Sequence, residues 1–391
     1  MVLTIVAAFL NPVLRLSPDD PVTLFRIVFP AIAIALIIRT IFQPETALFL
    51  LNLAAFTGYS ILQLVAHNAT RDGYMLAYFI NIATLLLFLH FIANFARGHG
   101  TTKLHDVLYW WFVLIMALSI GQLLTGLPFP NAPFRQGVAR IYFGQENDAS
   151  VAIAAFLPLM FWRSRWRLFS VLLLTAAIYV LYVNGTRTVL IAIAAYPLLL
   201  GYAFLGNWLK RAYGVPWRIS LPLPIVLSIA FAYAIQDAEI KFADHSTSLN
   251  EMLFTPIWEI LAGRDLRDAE TSINVRITLI VAAFKAWLTT LGFGLGPGGT
   301  THVVALYYPR DYVRSMHSFP LQVLFEHGWF LIASIAFFIW RFADELDWRR
   351  FFPYAIYLLL AVSSATSGLI TNYYFFACTV WSLYVYSSHR D

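Results

Sequence analysis

Long apolar stretches recur along this 391-residue chain and constrain its fold more than any other feature. Inside a bilayer every backbone polar group needs an internal partner, so only helices and closed barrels cross it. Apolar runs of about 20 residues indicate helices. Charged residues make up 12% of the chain, against roughly 25% in soluble domains, which is too few to cover a water-facing surface. The sequence therefore predicts an all-α polytopic protein of the lipid bilayer.

Eleven segments are long enough to span, if thinner regions of the bilayer are allowed for. They are 21–42, 46–66, 73–96, 106–127, 148–162, 168–184, 187–207, 219–236, 318–340, 351–370 and 372–388. Residues 2–16 are a twelfth candidate, weakened by Pro12 and Arg15. This N-terminal stretch has no basic region and no clear cleavage site, so we expect it in the mature protein. The prediction is 11–12 transmembrane helices.

Basic residues in short connections predict the orientation. Three connections carry clusters, namely Arg163, Arg165 and Arg167, then Lys210, Arg211 and Arg218, then Arg341, Arg349 and Arg350. The positive-inside rule places all three in the cytoplasm, which requires an even number of crossings between residues 219 and 340. Segment 277–291 is short and contains Lys285, so we interpret it as an amphipathic helix on the outer surface. Its expected apolar face carries Ile280, Ala283, Phe284, Trp287 and Leu291.

This topology divides the chain into three regions. Residues 1–236 are N-terminal transmembrane helices, 237–317 form one large extracytoplasmic loop, and 318–391 are C-terminal transmembrane helices. A long structured loop usually serves function. We therefore expect any chemistry on the outer side of the membrane.

Composition excludes several classes of protein. The net charge of +5 resides in short loops rather than on one face, which speaks against nucleic acid as a partner. Cys378 is the only cysteine, and the nine histidines show no paired metal-ligand spacing. The run GFGLGPGGT at 292–300 follows no strand, so it is not a nucleotide fingerprint and is interpreted as a flexible turn. We expect no metal and no cofactor.

Two arginines are candidate anion-binding groups. Arg187 follows a tight turn at Asn184 and Gly185 on the outer side, where its planar fork suits phosphate or pyrophosphate. An interfacial anchor is the equal alternative. Arg276 begins the amphipathic helix and lies near its apolar face. Its alternative is a simple ion pair with Glu270 or Asp268.

Three further positions carry polar groups at helix entries or inside a helix. His317 opens a spanning helix, where a neutral imidazole can accept a proton, although backbone groups alone could satisfy it. Glu326 lies nine residues on, half a turn out of phase, so the two cannot form a dyad on a straight helix. A carboxylate inside a membrane helix is costly, and we expect it to have a partner. Asn147 and Asp148 are interpreted as helix N-caps.

The order of these motifs resembles the bacterial O-antigen ligase and polymerase family, the Wzy/WaaL type, which includes exopolysaccharide polymerases. The shared motifs are QENDASV with Asn147, N-G-T-R at 184–187, Arg276 before Gly292, Gly294 and Gly296, and H-x-x-x-L-Q-x-L-x-E-x-G with His317, Leu321, Gln322, Leu324, Glu326 and Gly328. They cover roughly residues 140–345. Ser318 stands where many members have asparagine.

The resemblance implies a GT-C-like fold in the bacterial inner membrane with its active site facing the periplasm. The donor would be a glycan on undecaprenyl pyrophosphate, and the acceptor a hydroxyl of a second lipid-linked glycan (polymerase) or of lipid A-core (ligase). Arg187 and Arg276 would hold the pyrophosphate, and His317 would orient or deprotonate the acceptor. Asn147, Asn184 and Glu326 are the expected substrate-binding residues. A chain-length regulator is a further partner to expect.

Two readings from other classes stay open at this point. A transporter or flippase of lipid-linked oligosaccharides would use Arg26, Arg39, Arg71, Arg187 and Glu326 along a transport path. It predicts inverted repeats, which the sequence does not show. A membrane scaffold without activity would give Arg187, Arg276 and His317 no reason to converge.

Overall fold

A computed structural model describes residues 2–11, 13, 23–66, 73–129, 137–143, 145–160, 167–214, 239–242, 245–248, 272–307, 316, 318–342, 346–363, 365 and 374–387. Thirteen α-helices, one 3-10 helix at Leu157–Leu159 and one hairpin occupy this part of the chain. The helices are α1 Val2–Phe9, α2 Leu24–Thr40, α3 Pro44–Ala66, α4 Gly73–His99, α5 Thr101–Thr125, α6 Glu146–Phe156, α7 Arg167–Val183, α8 Arg187–Tyr213, α9 Ser272–Thr289, α10 Gly299–Tyr307, α11 Phe319–Phe342, α12 Trp348–Val362 and α13 Tyr374–Tyr386. The hairpin pairs β1 Glu239–Phe242 with β2 His245–Ser248, antiparallel.

The helical class is confirmed for the described residues, apart from that hairpin. Ten of the eleven predicted spans coincide with helices, and the eleventh, 219–236, lies outside the described residues. In the described part of the twelfth candidate, residues 2–11 and 13, the eight-residue helix α1 ends at Phe9. Proline removes a helix donor and clashes with the preceding turn, so Pro12 agrees with this early end.

Three helical segments among the described residues are long and apolar enough to cross a membrane. They are Thr46–Ala66 in α3, Thr101–Thr125 in α5 and Phe319–Phe337 in α11. Six shorter apolar helices accompany them, which supports association with a membrane. The number of spans and their orientation stay predictions.

The main hydrophobic cluster surrounds the short helix α6. Every residue from Asp148 to Phe156 is buried, and Ala149, Ala152 and Ala155 are fully enclosed. Small side chains allow neighbouring helices to approach closely. Helices α7, α8, α12 and α13 pack around α6, and Phe112 of α5 stacks on Phe156 with 4.6 Å between the ring centroids. The hydroxyl of Tyr357 in α12 donates to the Ala154 carbonyl at 2.6 Å.

A second hydrophobic cluster joins α9, α10 and the first half of α11. Its buried members are Leu279, Ala282, Ala283, Val303, Val304, Met316 and Phe325. The apolar face predicted for α9 is partly buried in this cluster and partly exposed at the surface. Ala283 is fully buried, while Phe284 and Leu291 are 44% and 79% exposed. One side of α9 therefore packs on α10 and α11, and another side is an uncovered apolar stripe.

Candidate functional site

The helix α11 is broken at Gly328. This glycine has φ 50° and ψ −132°, outside the helical region. The break follows Glu326 and His327, both buried. A broken helix leaves carbonyl and N–H groups without intrahelical partners, and irregular backbone at membrane depth is tolerated only where the protein satisfies it.

The glycine loop after α9 supplies those partners. Leu295 N–H donates to the Phe325 carbonyl at 2.8 Å, and Gly296 N–H donates to the Glu326 carbonyl at 3.1 Å. In the other direction, Trp329 N–H donates to the Gly292 carbonyl at 3.0 Å. Loop and break therefore form one hydrogen-bonded unit. The sequence interpretation of this run as a turn is confirmed, but backbone groups of the turn are hydrogen-bonded to the break in α11, which the sequence did not indicate.

Glycines are required where the two segments meet. A side chain at Gly328 would overlap the Gly292 carbonyl and the Phe293 backbone, and a Cβ on Gly294 would lie 2.5 Å from the Glu326 carbonyl oxygen. Real Cβ atoms do not approach backbone atoms this closely, so both positions depend on the missing side chain. Gly294 of the loop after α9 and Gly328 of α11 thus both lie where these two segments contact each other.

Helix α3 fastens the same unit from the other side. The Gln63 side-chain amide donates to the Phe293 carbonyl at 2.7 Å and to the Glu326 carbonyl at 3.0 Å. The Tyr59 hydroxyl also donates to the Phe293 carbonyl, and its ring stacks on Phe330 at 5.1 Å. Sequence inspection missed Gln63. The available signal was a long polar amide inside the apolar segment 46–66.

Glu326 is fully buried, and one oxygen of its carboxylate accepts two side-chain hydrogen bonds. Its Oε1 accepts from the hydroxyl of Thr300 and from the Gln322 side-chain amide, the latter at 3.1 Å. Gln322 lies one turn earlier on α11, and Thr300 lies in the first turn of α10. The expectation that this carboxylate has a hydrogen-bond partner is therefore confirmed.

A second polar unit surrounds the turn before Arg187. Asn184 is 7% exposed, and its side chain spans two neighbouring segments. Its Oδ1 accepts from the Ala139 N–H at 2.7 Å, while its Nδ2 donates to the Ala139 carbonyl at 3.0 Å and to Ser150 Oγ at 3.1 Å. The turn between α7 and α8 is thereby fixed to the start of α6.

Thr186 completes this contact. Its hydroxyl lies 2.9 Å from Ser150 Oγ and 3.5 Å from Asn147 Oδ1. The half-buried Asn147 therefore faces the segment that leads directly into Arg187. The interpretation of Asn147 and Asp148 as N-caps is wrong, because α6 already begins at Glu146 and its N-cap position is Gln145.

The segment before α6 is held by buried polar side chains. Gln122 at the end of α5 accepts through Oε1 from the N–H groups of Arg140 and Ile141, each at 2.9 Å. Arg140 pairs with Glu146 at 2.9 Å. Tyr142 accepts from Trp111 Nε1 at 2.9 Å. Burial raises the pKa of the Tyr142 phenol above its ordinary value of 10.0, and this hydrogen bond offsets part of the rise.

The structure describes only the backbone of two predicted catalytic residues, Arg187 and Arg276, and does not describe the third, His317. Arg187 is the first residue of α8, and Arg276 is the fifth residue of α9 rather than its first. Their side chains are outside the described part, as is the whole of His317. Among the described residues, no group of three or more His, Cys, Asp or Glu could hold a metal ion. The expected independence from metals and cofactors stays a prediction.

The neighbours of position 317 are described and belong to both hydrophobic clusters. Met316 is fully buried in the second cluster, and Phe319 packs against the main cluster. The second cluster contains α9, which carries Arg276. The main cluster contains the first turns of α8, which Arg187 opens. Residues 316 and 319 therefore contact the two clusters that contain parts of α8 and α9, the helices to which Arg187 and Arg276 belong.

A search among protein-family models, curated proteins and solved structures finds no match to this chain. The resemblance to O-antigen ligases and polymerases thus depends on the sequence motifs alone.

Proposed function

We propose that the chain is a membrane glycosyltransferase. It transfers a glycan from an undecaprenyl-pyrophosphate donor to a hydroxyl acceptor at the outer face of the bacterial inner membrane. The reaction we favour is polymerisation of O-antigen or exopolysaccharide repeat units, and ligation to lipid A-core is the second candidate. The GT-C-like relationship and the periplasmic site belong to this proposal.

One observation supports it above others: the described motifs of the resemblance contact each other in pairs. The glycine loop after α9 is hydrogen-bonded to the Glu326–Gly328 motif. The turn at Asn184 and Thr186 is hydrogen-bonded to the start of α6. Motifs separated by some 30 residues in each pair have no reason to meet in a scaffold built only from apolar packing.

In the proposed reaction the acceptor oxygen attacks the anomeric carbon of the donor glycan. A carbon–oxygen bond forms there while the bond from that carbon to the phosphate oxygen breaks. The electron pair leaves with undecaprenyl pyrophosphate, and fixed arginines at 187 and 276 stabilise this charge. His317 takes the proton of the acceptor hydroxyl.

The described polar residues would act by positioning. Asn184 places the first turn of α8 and with it Arg187, and Glu326 fixes the unit that connects α9 to α11. Asn147 is half-buried and borders the same turn, so it is the best placed of the three predicted substrate-binding residues to touch a ligand. Direct contact of Asn184 and Glu326 with substrate stays a prediction.

The test is incubation of the purified full-length protein in lipid nanodiscs with undecaprenyl-pyrophosphate-linked repeat units, with and without lipid A-core. A ladder of products without core means polymerase. Product only with core means ligase. Movement of intact lipid-linked glycan across a vesicle bilayer, without any new glycosidic bond, would contradict the proposal and favour a flippase.

A further inference from the structure

Three buried polar atoms at the contact between α3 and α11 have no hydrogen-bond partner among the described residues. They are Nδ1 of His327, Oε1 of Gln63 and Oγ of Ser60. Their residues are 4%, 5% and 0% exposed. A buried polar atom without a partner is destabilising, and native proteins rarely keep several of them together.

The three residues belong to one contact. Gln63 donates through its amide nitrogen to the carbonyl of Glu326, the residue before His327. The His327 ring lies 5.5 Å from the Phe56 ring, measured between centroids. Ser60 lies one turn after Phe56 on α3 and less than a turn before Gln63, within about 60° of both around the helix axis. These side chains therefore share the face of α3 that meets the break in α11.

The chemistry of the three atoms identifies the occupant. An amide oxygen only accepts, a hydroxyl both donates and accepts, and an imidazole nitrogen does one or the other according to its tautomer. Water matches such a mixed set, and buried water typically binds polar groups that the protein leaves unsatisfied. Ordered water is also one of the means by which membrane proteins satisfy broken helices.

We propose that the contact between α3 and the break in α11 is an internal hydration site, at which ordered water binds His327 Nδ1, Gln63 Oε1 and Ser60 Oγ. This site is independent of the proposed transferase reaction. It places exchangeable water inside the membrane-embedded part of the protein, beside the unit that the glycine loop forms with α11.

Hydroxyl-radical labelling by X-ray radiolysis tests the proposal on the full chain in nanodiscs, because water bound inside a protein generates radicals there. His105 is the matched control, since it is 3% exposed and its Nε2 contacts the Leu159 carbonyl at 3.0 Å. We expect His327 to be modified several-fold faster than His105. Equal rates overturn the proposal.

Two variants, His327→Phe and Ser60→Ala, test the hydration site independently through the unfolding temperature and the labelling of His327. In a dry contact, His327→Phe removes a buried unsatisfied atom and raises the unfolding temperature. In the proposed hydrated contact it deprives Gln63 and Ser60 of their water, and we expect a lower temperature. Ser60→Ala is milder and should bring the labelling of His327 down toward that of His105. A higher unfolding temperature for His327→Phe, or unchanged labelling in Ser60→Ala, contradicts the hydration site.

Discussion

The backbone N–H of Trp329 donates to the carbonyl oxygen of Gly292 at 3.0 Å. The residue that follows the break in α11 thus has its partner in a loop 37 residues earlier in the chain. The indole of Trp329 repeats the connection by donating to the Leu291 carbonyl at 2.8 Å. Helix α11 is interrupted at Gly328. Trp329, directly after the interruption, is hydrogen-bonded to the loop that follows α9.

The close approach at the break predicts a strong effect of Gly328→Ala. The new methyl group overlaps the Gly292 carbonyl, and alanine is disfavoured at positive φ. Together these effects should lower the free energy of unfolding by at least about 2 kcal/mol. Thermal unfolding in detergent measures it. Gly58→Ala in α3 is the control, because nothing lies within 4 Å of its added Cβ. Equal melting temperatures for the two variants would disprove the close contact.

The carboxylate of Glu326 predicts different results for two substitutions. Glu326→Gln retains an oxygen that can accept from Thr300 and Gln322, so we expect it to fold with nearly unchanged stability. Glu326→Leu removes the acceptor to which the buried Thr300 and Gln322 side chains donate, at about 1–3 kcal/mol for each hydrogen bond. Thermal unfolding distinguishes them. A leucine variant as stable as the glutamine variant would show that these hydrogen bonds contribute little.

Asn184 predicts a loss of both stability and activity. Asn184→Ala removes two hydrogen bonds to the backbone of Ala139 and one to Ser150 in α6, and we expect the free energy of unfolding to fall by about 2–4 kcal/mol. Asn184→Asp can still accept from the Ala139 N–H but cannot donate to the Ala139 carbonyl, so it should also be destabilised. If the turn positions Arg187, glycan transfer should fall in both variants under conditions where they remain folded. Full transferase activity in the two folded variants would show that the turn at Asn184 does not position Arg187 for the reaction.

The proposed catalytic residues predict large losses of product with little change in folding. We expect Arg187→Ala and Arg276→Ala to reduce turnover by about 10²–10³-fold, and His317→Ala by about 10²–10⁴-fold. The control is Lys285→Ala, because Lys285 is an exposed cation on the same helix as Arg276. Product yield per folded protein is the measurement. An equal loss in the lysine variant would mean that net charge, and not position, matters.

The topology is testable because Cys378 is the only cysteine and is fully buried. In a Cys378→Ala background, single cysteines can replace Lys285, Leu288 or Arg350. We expect a membrane-impermeant maleimide to label position 285 from outside and position 350 only after permeabilisation. Leu288 lies on the uncovered apolar stripe of α9 and should be shielded by lipid. Outside labelling of position 350 would reverse the predicted orientation.

Hydropathy locates most of the helices, although it does not predict α10 at Gly299–Tyr307. The predicted spans 46–66 and 168–184, for example, correspond to α3 at Pro44–Ala66 and α7 at Arg167–Val183. Apolar length is a local property, so a single segment reveals it. Hydropathy does not locate the first residue of a helix. Asn147 was assigned as a cap although α6 begins one residue before it, since Gln145 makes no side-chain cap that a pattern could reveal.

The sequence by itself determined that this chain is helical, that it is apolar enough for a membrane, and that certain polar residues stand at costly positions. Only the tertiary structure decided what those residues bind. Gln63 and Phe293 lie 230 positions apart, and the glycine run became a packed partner of α11 because the break at Gly328 needs its backbone groups. Such a choice depends on which distant donors and acceptors meet in space, and that information belongs to no single stretch of sequence.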